Sequence, residues 1–389
     1  MTAKLNPAPE SAPIPIVYLI DFFGKGGGTE NQLAVLVNNL DRALFSPTIV
    51  TLREVKGLST AKVNCPVHNL NVTHLLSWHS WRALRHFVRF LTDNEVEILQ
   101  LFFIDSNIFG VIAGIMAGIK TIIIGRRDMG WWYGQRRRLL TNLLNRRASL
   151  CIANADAVKR VVMTHEGIPS EKIEVIYNGV PESIGLSASD IRAKLAIPAD
   201  SSIVTIVANL KPIKRIDRFL RVASAIADTS THFLVIGQGQ QKEELTALAE
   251  SFGIGERTHF YSTVNEVHAI LRECAVGVLT SESEGLSNVL IEYALNGLPA
   301  VAFDVGGNRE VIVHGETGFV IPVFDEAAMA KSIGHLLADA SFAEKLGNRA
   351  REEACRRFSV PTMIHHHEQV YLRVITPKKP QPDKEDTSK

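Results

Sequence analysis

The chain has 389 residues, with 42 Lys and Arg against 41 Asp and Glu, and so lacks the strongly basic balance of a nucleic-acid-binding domain; no nucleic-acid partner is expected. Its length suits two domains better than one core, and an apolar share of 46% fits buried parallel sheets. The four cysteines, Cys65, Cys151, Cys274 and Cys355, form no CxxC or Cys/His ligand spacing. They read as reduced, mostly buried thiols of a cytoplasmic protein, and no metal site is expected.

Residues 1–13, rich in Pro, Ala and Ser, read as a disordered leader without the apolar core of a secretory signal. The apolar run Ile14 to Ile20 leads into Gly24-Lys25-Gly26-Gly27-Gly28 and then a helical pattern in Leu33, Leu36, Val37 and Leu40. Strand, glycine loop and helix in that order open a βαβ unit. Thr29 stands where the dinucleotide fingerprint needs its third glycine, and no Gly-Lys-Ser/Thr follows, which sets aside dehydrogenases and P-loop NTPases. What is left is a loop whose N–H groups can approach a phosphate, or an ordinary tight turn.

Further strands are predicted at 48–52, 98–102, 121–124, 150–153 and 173–177, with helices between them. The apolar stretch 107–125 reads as a buried helix ending near Gly118 and then a strand, because Lys120 and internal glycines interrupt any membrane span. Two helical segments, 77–91 and 131–147, combine tryptophans with arginines and have the character of basic amphipathic helices that lie on anionic lipid.

The pattern breaks around 178–182, where a linker is expected. A short helix at 188–195 follows, then strands at 203–207, 233–236, 259–261, 277–279 and 300–303. The expected fold is α/β: two doubly wound Rossmann-like domains, 14–181 and 182–357, facing across a cleft where ligands bind at the carboxyl ends of the strands. A last helix, 358–376, is expected to return toward the first domain, and 377–389 to be a disordered tail.

The chemistry concentrates in SESEGLSNVLIE, residues 281–292. An apolar run precedes it and an apolar-periodic one follows, so Gly285-Leu286-Ser287-Asn288 begins a helix with Ser287 or Asn288 as N-cap. Backbone donors and the positive end of the helix dipole suit a phosphate, and Lys214 can bring a full charge to the same end of the sheet. Glu292 lies about one and a half turns into the helix, about 7.5 Å from its start, a distance at which it can hold a ribose diol. Glu284, just before the turn, can accept hydrogen bonds from sugar hydroxyls. Each residue alone also fits a solvated loop or an ordinary helical glutamate.

Taken together, VANLKPIKRID, FLVIGQGQQKEEL, the Glu-x7-Glu run TSESEGLSNVLIEYALNGLPAVAFDVGGNREVI and ETGFVIP resemble the donor-binding domain of the GT4-type retaining glycosyltransferases, which have the GT-B fold. GGGTENQLAVL and IANADAVKRVVMTHEGIPSEKIEVIYNGV extend the resemblance to the first domain, leaving out only the two tails. It implies Glu292 on the ribose, Glu284 on the transferred sugar, Gly285, Leu286, Ser287 and Asn288 on sugar and phosphates, Gly27 and Gly28 on the diphosphate, and Lys214 on the departing phosphate. No metal is implied, because a lysine, a helix N-terminus and backbone amides can neutralise the leaving group. The donor would be a UDP- or GDP-sugar and the acceptor a saccharide or lipid-linked saccharide, in polysaccharide or glycolipid assembly at the inner face of a membrane.

Two departures stand out. Asn209 occupies a donor-side position that is arginine in many relatives, with Lys211 or Arg215 as substitutes, and FFIDSN and GRRDMGWW stand where histidines are common. Asp105 is then the nearest catalytic candidate in the first domain. Arg126, Arg127 and Asp128 are candidate contacts for an anionic acceptor or a phosphate, with a structural Arg127–Asp128 ion pair as the alternative. The competing readings are a GT-B-fold sugar-nucleotide epimerase and a non-catalytic nucleotide-sugar-binding protein.

Overall fold

The computed structural model describes residues 12–24, 27–54, 63–75, 77–130, 141–181, 189–262 and 266–375. Residues 1–11 of the expected leader, 376–389 with the expected tail, Lys25 and Gly26, 182–188 at the expected linker, and 131–140 of the second Trp-containing segment lie outside the described residues.

The strands are β1 (Ile14–Ile20), β2 (Phe45–Thr51), β3 (Val67–Asn69), β4 (Ile98–Leu101), β5 (Thr121–Arg126), β6 (Leu150–Ala153), β7 (Ile173–Val175), β8 (Ile203–Val207), β9 (His232–Ile236), β10 (Thr258–Tyr261), β11 (Val276–Leu279), β12 (Ala300–Phe303) and β13 (Gly318–Ile321). They form a seven-stranded sheet in the order β3-β2-β1-β4-β5-β6-β7 and a six-stranded sheet in the order β10-β9-β8-β11-β12-β13. The pairings β1–β2, β1–β4, β4–β5, β8–β9, β8–β11 and β11–β12 are parallel. The central strands are apolar on both faces, as sheets covered by helices on both sides require: Ile16, Tyr18, Leu19 and Ile20 of β1 are fully buried.

Of the described residues, those up to Gly125, those from 141 to Cys151 and those from Ile364 form one compact unit; Arg126 to 130 and Ile152 to Met363 form the other. In the first, helices α1 (Gly28–Asn39), α2 (Trp78–Asp93) and α3 (Ile104–Met116) follow β1, β3 and β4. The stretch 107–125 is the helix and strand expected of it, α3 and then β5, and no described helix is long and apolar enough to cross a membrane. The second unit contains α4 (Asp156–Glu166) and α5 (Asn288–Leu295), and its core gathers Phe219, Leu220, Phe233, Val235, Val278 and Phe303. The last helix, α6 (Val360–Ile375), runs from the second unit into the first. There its Tyr371 hydroxyl donates to Gln100 Oε1 at 2.6 Å and accepts from Tyr18 at 3.2 Å.

β3 and β13 were not expected as strands. β2 also begins three residues earlier than its apolar run, taking in Pro47. The proline is tolerated because β3 pairs with β2 only from Ile49 onward, so an edge is open at Pro47. None of the four cysteines is in a disulfide, but only Cys151 is fully buried; Cys65, Cys274 and Cys355 are half-buried.

Candidate active site

In the second unit the loops that leave β8, β11 and β12 meet at one end of the sheet. Residues Pro212–Lys214 form a 3-10 turn after β8, and Arg215 follows with φ of 50°. The hydroxyl of Thr280, fully buried at the end of β11, donates to the carbonyls of Lys214 (3.2 Å) and Arg215 (2.9 Å), and Glu282 N donates to Ile213 O at 2.9 Å. This anchoring holds Lys214 where its Nζ meets Glu284 Oε1 at 2.6 Å, with side-chain exposures of 26% and 11%. The two residues expected to serve the phosphate and the sugar are thus ion-paired with each other.

Gly306 and Gly307, after β12, lie against the backbone of Glu284 and Gly285. Gly307 N donates to Gly285 O at 2.8 Å, and a Cβ on Gly306, at φ of +52°, would run into the Glu284 carbonyl. Ser287 is the N-cap of α5, its Oγ accepting from Leu290 N at 3.4 Å. Leu286 is buried. Asn288, the first helical residue, accepts from Asn178 Nδ2 at 2.5 Å.

Glu292, half-buried on the next turn, has no hydrogen-bond or ion-pair partner for its carboxylate among the described residues, and burial pushes its pKa up to about 7. Asn209 is exposed at the end of β8. Of its two expected substitutes, Lys211 is exposed and Arg215 is held by Asp217 (2.8 Å) and Glu282 (3.4 Å).

In the first unit Gly27 is the N-cap of α1, followed by Gly28, and the Glu30 carboxylate folds back against Gly27. That helix start therefore already carries an anion of its own, in the manner of a capping box. Asp105 lies in the first turn of α3, where Arg53 Nη2 donates to its carboxylate. Arg53 is also 4.0 Å from Asp21, whose Oδ1 accepts from Ser106 N (2.8 Å) and Ser106 Oγ (2.6 Å). Burial raises the Asp21 pKa despite those bonds. Phe103, just before α3, has φ of 66° and its ring stacks on Phe22.

The expectation that Arg126 faces an anionic ligand is corrected. Its side chain is 7% exposed and its guanidinium forms two parallel 2.8 Å bonds with Glu166, a structural pair. Arg127 instead donates through Nη2 to Asn178 Oδ1, and Asp128 accepts from Gly130 N at 2.8 Å, its pKa raised by burial.

Sequence reasoning missed Asp21, Arg53, Asn178, the Gly306-Gly307 support and Glu310, whose carboxylate accepts from Asp156 N and Ala157 N at 2.7 Å each and so caps α4. YNGV and DVGGNREVI belong to the motifs quoted above, yet no spacing rule ties them to the loop before α5. Among the described residues no three His, Cys, Asp or Glu side chains gather as a metal site.

The two parallel α/β sheets, of seven and six strands, are those of the GT-B fold. Residues 26–183 match the family model of Glycosyltransferase Family 4 and residues 187–353 that of the glycosyl transferases group 1. The chain belongs to this family of GT4-type glycosyltransferases.

It is 26% identical over 216 residues to the N-acetyl-alpha-D-glucosaminyl L-malate synthase of Bacillus anthracis, covering 54% of this chain and 57% of that protein. It is 26% identical over 333 residues to the Vi polysaccharide biosynthesis protein VipC/TviE of Salmonella typhi, covering 78% of this chain and 55% of that protein. The chain thus spans about half the length of the curated relatives it matches. The crystal structure of Anabaena HepE in complex with UDP superposes with a TM-score of 0.80 at 21% identity, covering 92% of this chain and 100% of that one. A glycosyltransferase from Rickettsia africae gives 0.82 at 14%, covering 94% and 100%. At these identities the structural likeness establishes the fold.

Proposed function

We propose that the chain is a retaining glycosyltransferase that moves a sugar from a UDP- or GDP-sugar to a saccharide or lipid-linked acceptor in cell-surface polysaccharide or glycolipid assembly. The observation that carries this reading is Glu292: a half-buried carboxylate without a partner among the described residues, one turn beyond a capped helix start and in the same unit as a lysine–glutamate pair. Such a carboxylate suits a vicinal diol, which donates two hydrogen bonds to one acceptor group. That HepE was crystallised with UDP agrees with the donor class, and that VipC/TviE is a polysaccharide biosynthesis protein agrees with the pathway class.

In this reading Glu292 holds the ribose, the amides of Gly285 to Asn288 and Lys214 hold the diphosphate, and Glu284 holds the transferred sugar. The bond from the anomeric carbon to the diphosphate breaks as the acceptor oxygen bonds that carbon on the same face, and the acceptor proton passes to the departing phosphate. Lys214 and the helix start neutralise the charge that accumulates there, without a metal. Residues 14–181 would serve the acceptor and 182–357 the donor, with 358–376 joining them; Gly27 and Gly28 would reach the diphosphate once Glu30 turns aside, and Asp105 would serve the acceptor side.

The test is transfer from UDP- and GDP-sugars to a saccharide acceptor, with the anomeric configuration of the product read by NMR. Retention supports the reading. An epimerised nucleotide-sugar formed without acceptor would mark an epimerase, and ligand binding without turnover a binding protein.

A peripheral position at the inner face of a membrane is part of the proposal. Helix α2 buries Ser80, Leu84, Phe87 and Leu91 and exposes Trp78 (73%), Trp81 (49%), Arg82, Arg85 and Arg89. At 3.6 residues per turn Trp78 and the three arginines share one stripe opposite the buried face, a pattern that suits anionic headgroups. Phosphatidylglycerol-containing vesicles should sediment the wild type but not the variant R82E/R85E/R89E. Equal sedimentation of both would remove the α2 stripe from the account.

A further inference from the structure

The first unit carries a concave site beside α2. A groove of about 630 Å³ runs between that helix and the two residues after β3, Leu70 and Asn71. Both walls are fixed. Leu70 N donates to Thr51 O at 2.9 Å and Val72 N to Leu52 O at 2.7 Å, while α2 is seated by its buried Leu84, Phe87 and Leu91. Ala83, half-buried on α2, also lines the groove, and its short side chain leaves the space open.

The rest of the lining is basic. Arg82, Arg85 and Arg89 follow one another along about 10 Å of helix, and His79 and His86 add ring N–H donors. None of these five side chains has an ion-pair or hydrogen-bond partner among the described residues, and no carboxylate lines the groove. Asp93, the only acid of α2, lies one turn beyond Arg89 and forms no ion pair with it. Like charges three and four residues apart destabilise a helix, so unpaired arginines gathered around a cavity gain from an anion bound within it.

A phosphomonoester suits the groove best. Its three terminal oxygens carry about 1.5 to 2 negative charges at pH 7 and can accept from the forked donors of more than one arginine. Trp78, 73% exposed, projects within about 20° of Arg85 and Arg89 around the helix. It sets an aromatic body at the rim, as side chains do at a membrane interface, which points to a phosphate carried on a lipid.

We propose that the α2 groove is a headgroup site for a lipid phosphomonoester, held by Arg82, Arg85 and Arg89. The assignment rests on the membrane reading above and deepens it, from diffuse charge attraction to recognition of one headgroup class.

The test is co-sedimentation of the full chain with phosphatidylcholine vesicles containing either phosphatidate or phosphatidylglycerol, the two matched in zeta potential so that diffuse attraction is equal. The wild type should bind the phosphatidate vesicles roughly tenfold more tightly. Ala83→Leu fills the groove without altering charge; it should lose that preference while its affinity for phosphatidylglycerol changes by less than about threefold. Arg82→Gln adds no bulk and should narrow the preference as well, and it decides the matter should Ala83→Leu lower the unfolding temperature. Equal binding of the two vesicles by the wild type, or an undiminished preference in the variants, overturns the assignment. So does glycerol 3-phosphate that strips the protein from phosphatidate vesicles at the same concentration as the lipid, since the groove would then serve a soluble phosphate. A wild type that sediments with neither vesicle overturns the membrane reading together with this one.

Discussion

Replacing Glu292 by glutamine tests how burial tunes the site. The carboxyl pKa is raised from an ordinary 4.5 to about 7 because water is largely withdrawn from it. The folded chain therefore binds this proton more tightly than the unfolded chain. The associated stability is fully present below pH 4.5 and is lost as pH rises through 7. At about 1.36 kcal/mol for each pH unit, the gap between 4.5 and about 7 corresponds to about 3 kcal/mol, an upper bound because the side chain is only half-buried. Urea unfolding of wild type and Glu292→Gln across pH 5 to 8 measures it. Relative to the variant, the wild type should lose up to about 2.5 kcal/mol over that window, the rest being lost below pH 5. Nucleotide binding should run the other way, tightening as the carboxylate ionises to accept the ribose diol, with a flat profile in the variant. Stability curves that stay parallel from pH 5 to 8 would refute the reasoning.

Lys214→Ala leaves the Glu284 carboxylate, 11% exposed, without its ammonium; stability should fall by roughly 1–3 kcal/mol, and turnover at saturating donor by roughly a hundredfold or more, read by unfolding and steady-state kinetics. Gly306→Ala forces a Cβ into the Glu284 carbonyl at a φ of +52°, so it should cost more than about 1 kcal/mol and raise KM for the donor; unchanged kinetics would show that Glu284 tolerates the shift. Arg126→Ala breaks the pair with Glu166, both side chains 7% exposed, and should destabilise by about 3–5 kcal/mol. If the protein still folds, donor KM should hold near the wild-type value, whereas a large KM effect at wild-type stability would return Arg126 to the ligand.

The central strands were legible because each is a short apolar run bounded by glycines or polar turns. β3 was not: its residues Val67-His68-Asn69 are mostly exposed at a sheet edge, so nothing apolar marks them. β13 hides in a four-residue segment that begins with Gly318, whose φ of +152° only a glycine adopts readily. Helix α5 and its cap could be read from Ser287 and the following periodicity, because caps and helix phase are local. The pairing of Lys214 with Glu284 spans 70 residues, that of Arg126 with Glu166 spans 40, and that of Asn178 with Asn288 spans 110. Such partners are fixed by how strands are ordered in a sheet and by which loops meet at one end of it, which spacing along a chain does not encode. For the same reason Arg126 and Arg127 looked equivalent in sequence and part company in the fold.

The central claim is that the second unit binds a nucleoside diphosphate through Glu292 and the start of α5. Thermal unfolding against millimolar UDP, GDP, ADP, TDP and CMP, with Glu292→Ala alongside, tests it most directly, since a ligand that binds only the folded chain must raise Tm. The account predicts that one diphosphate stabilises the wild type, by about 2.7 kcal/mol when present at a hundred times its Kd, and that the variant loses most of that response. No shift with any nucleotide, or an equal shift in wild type and variant, would contradict it.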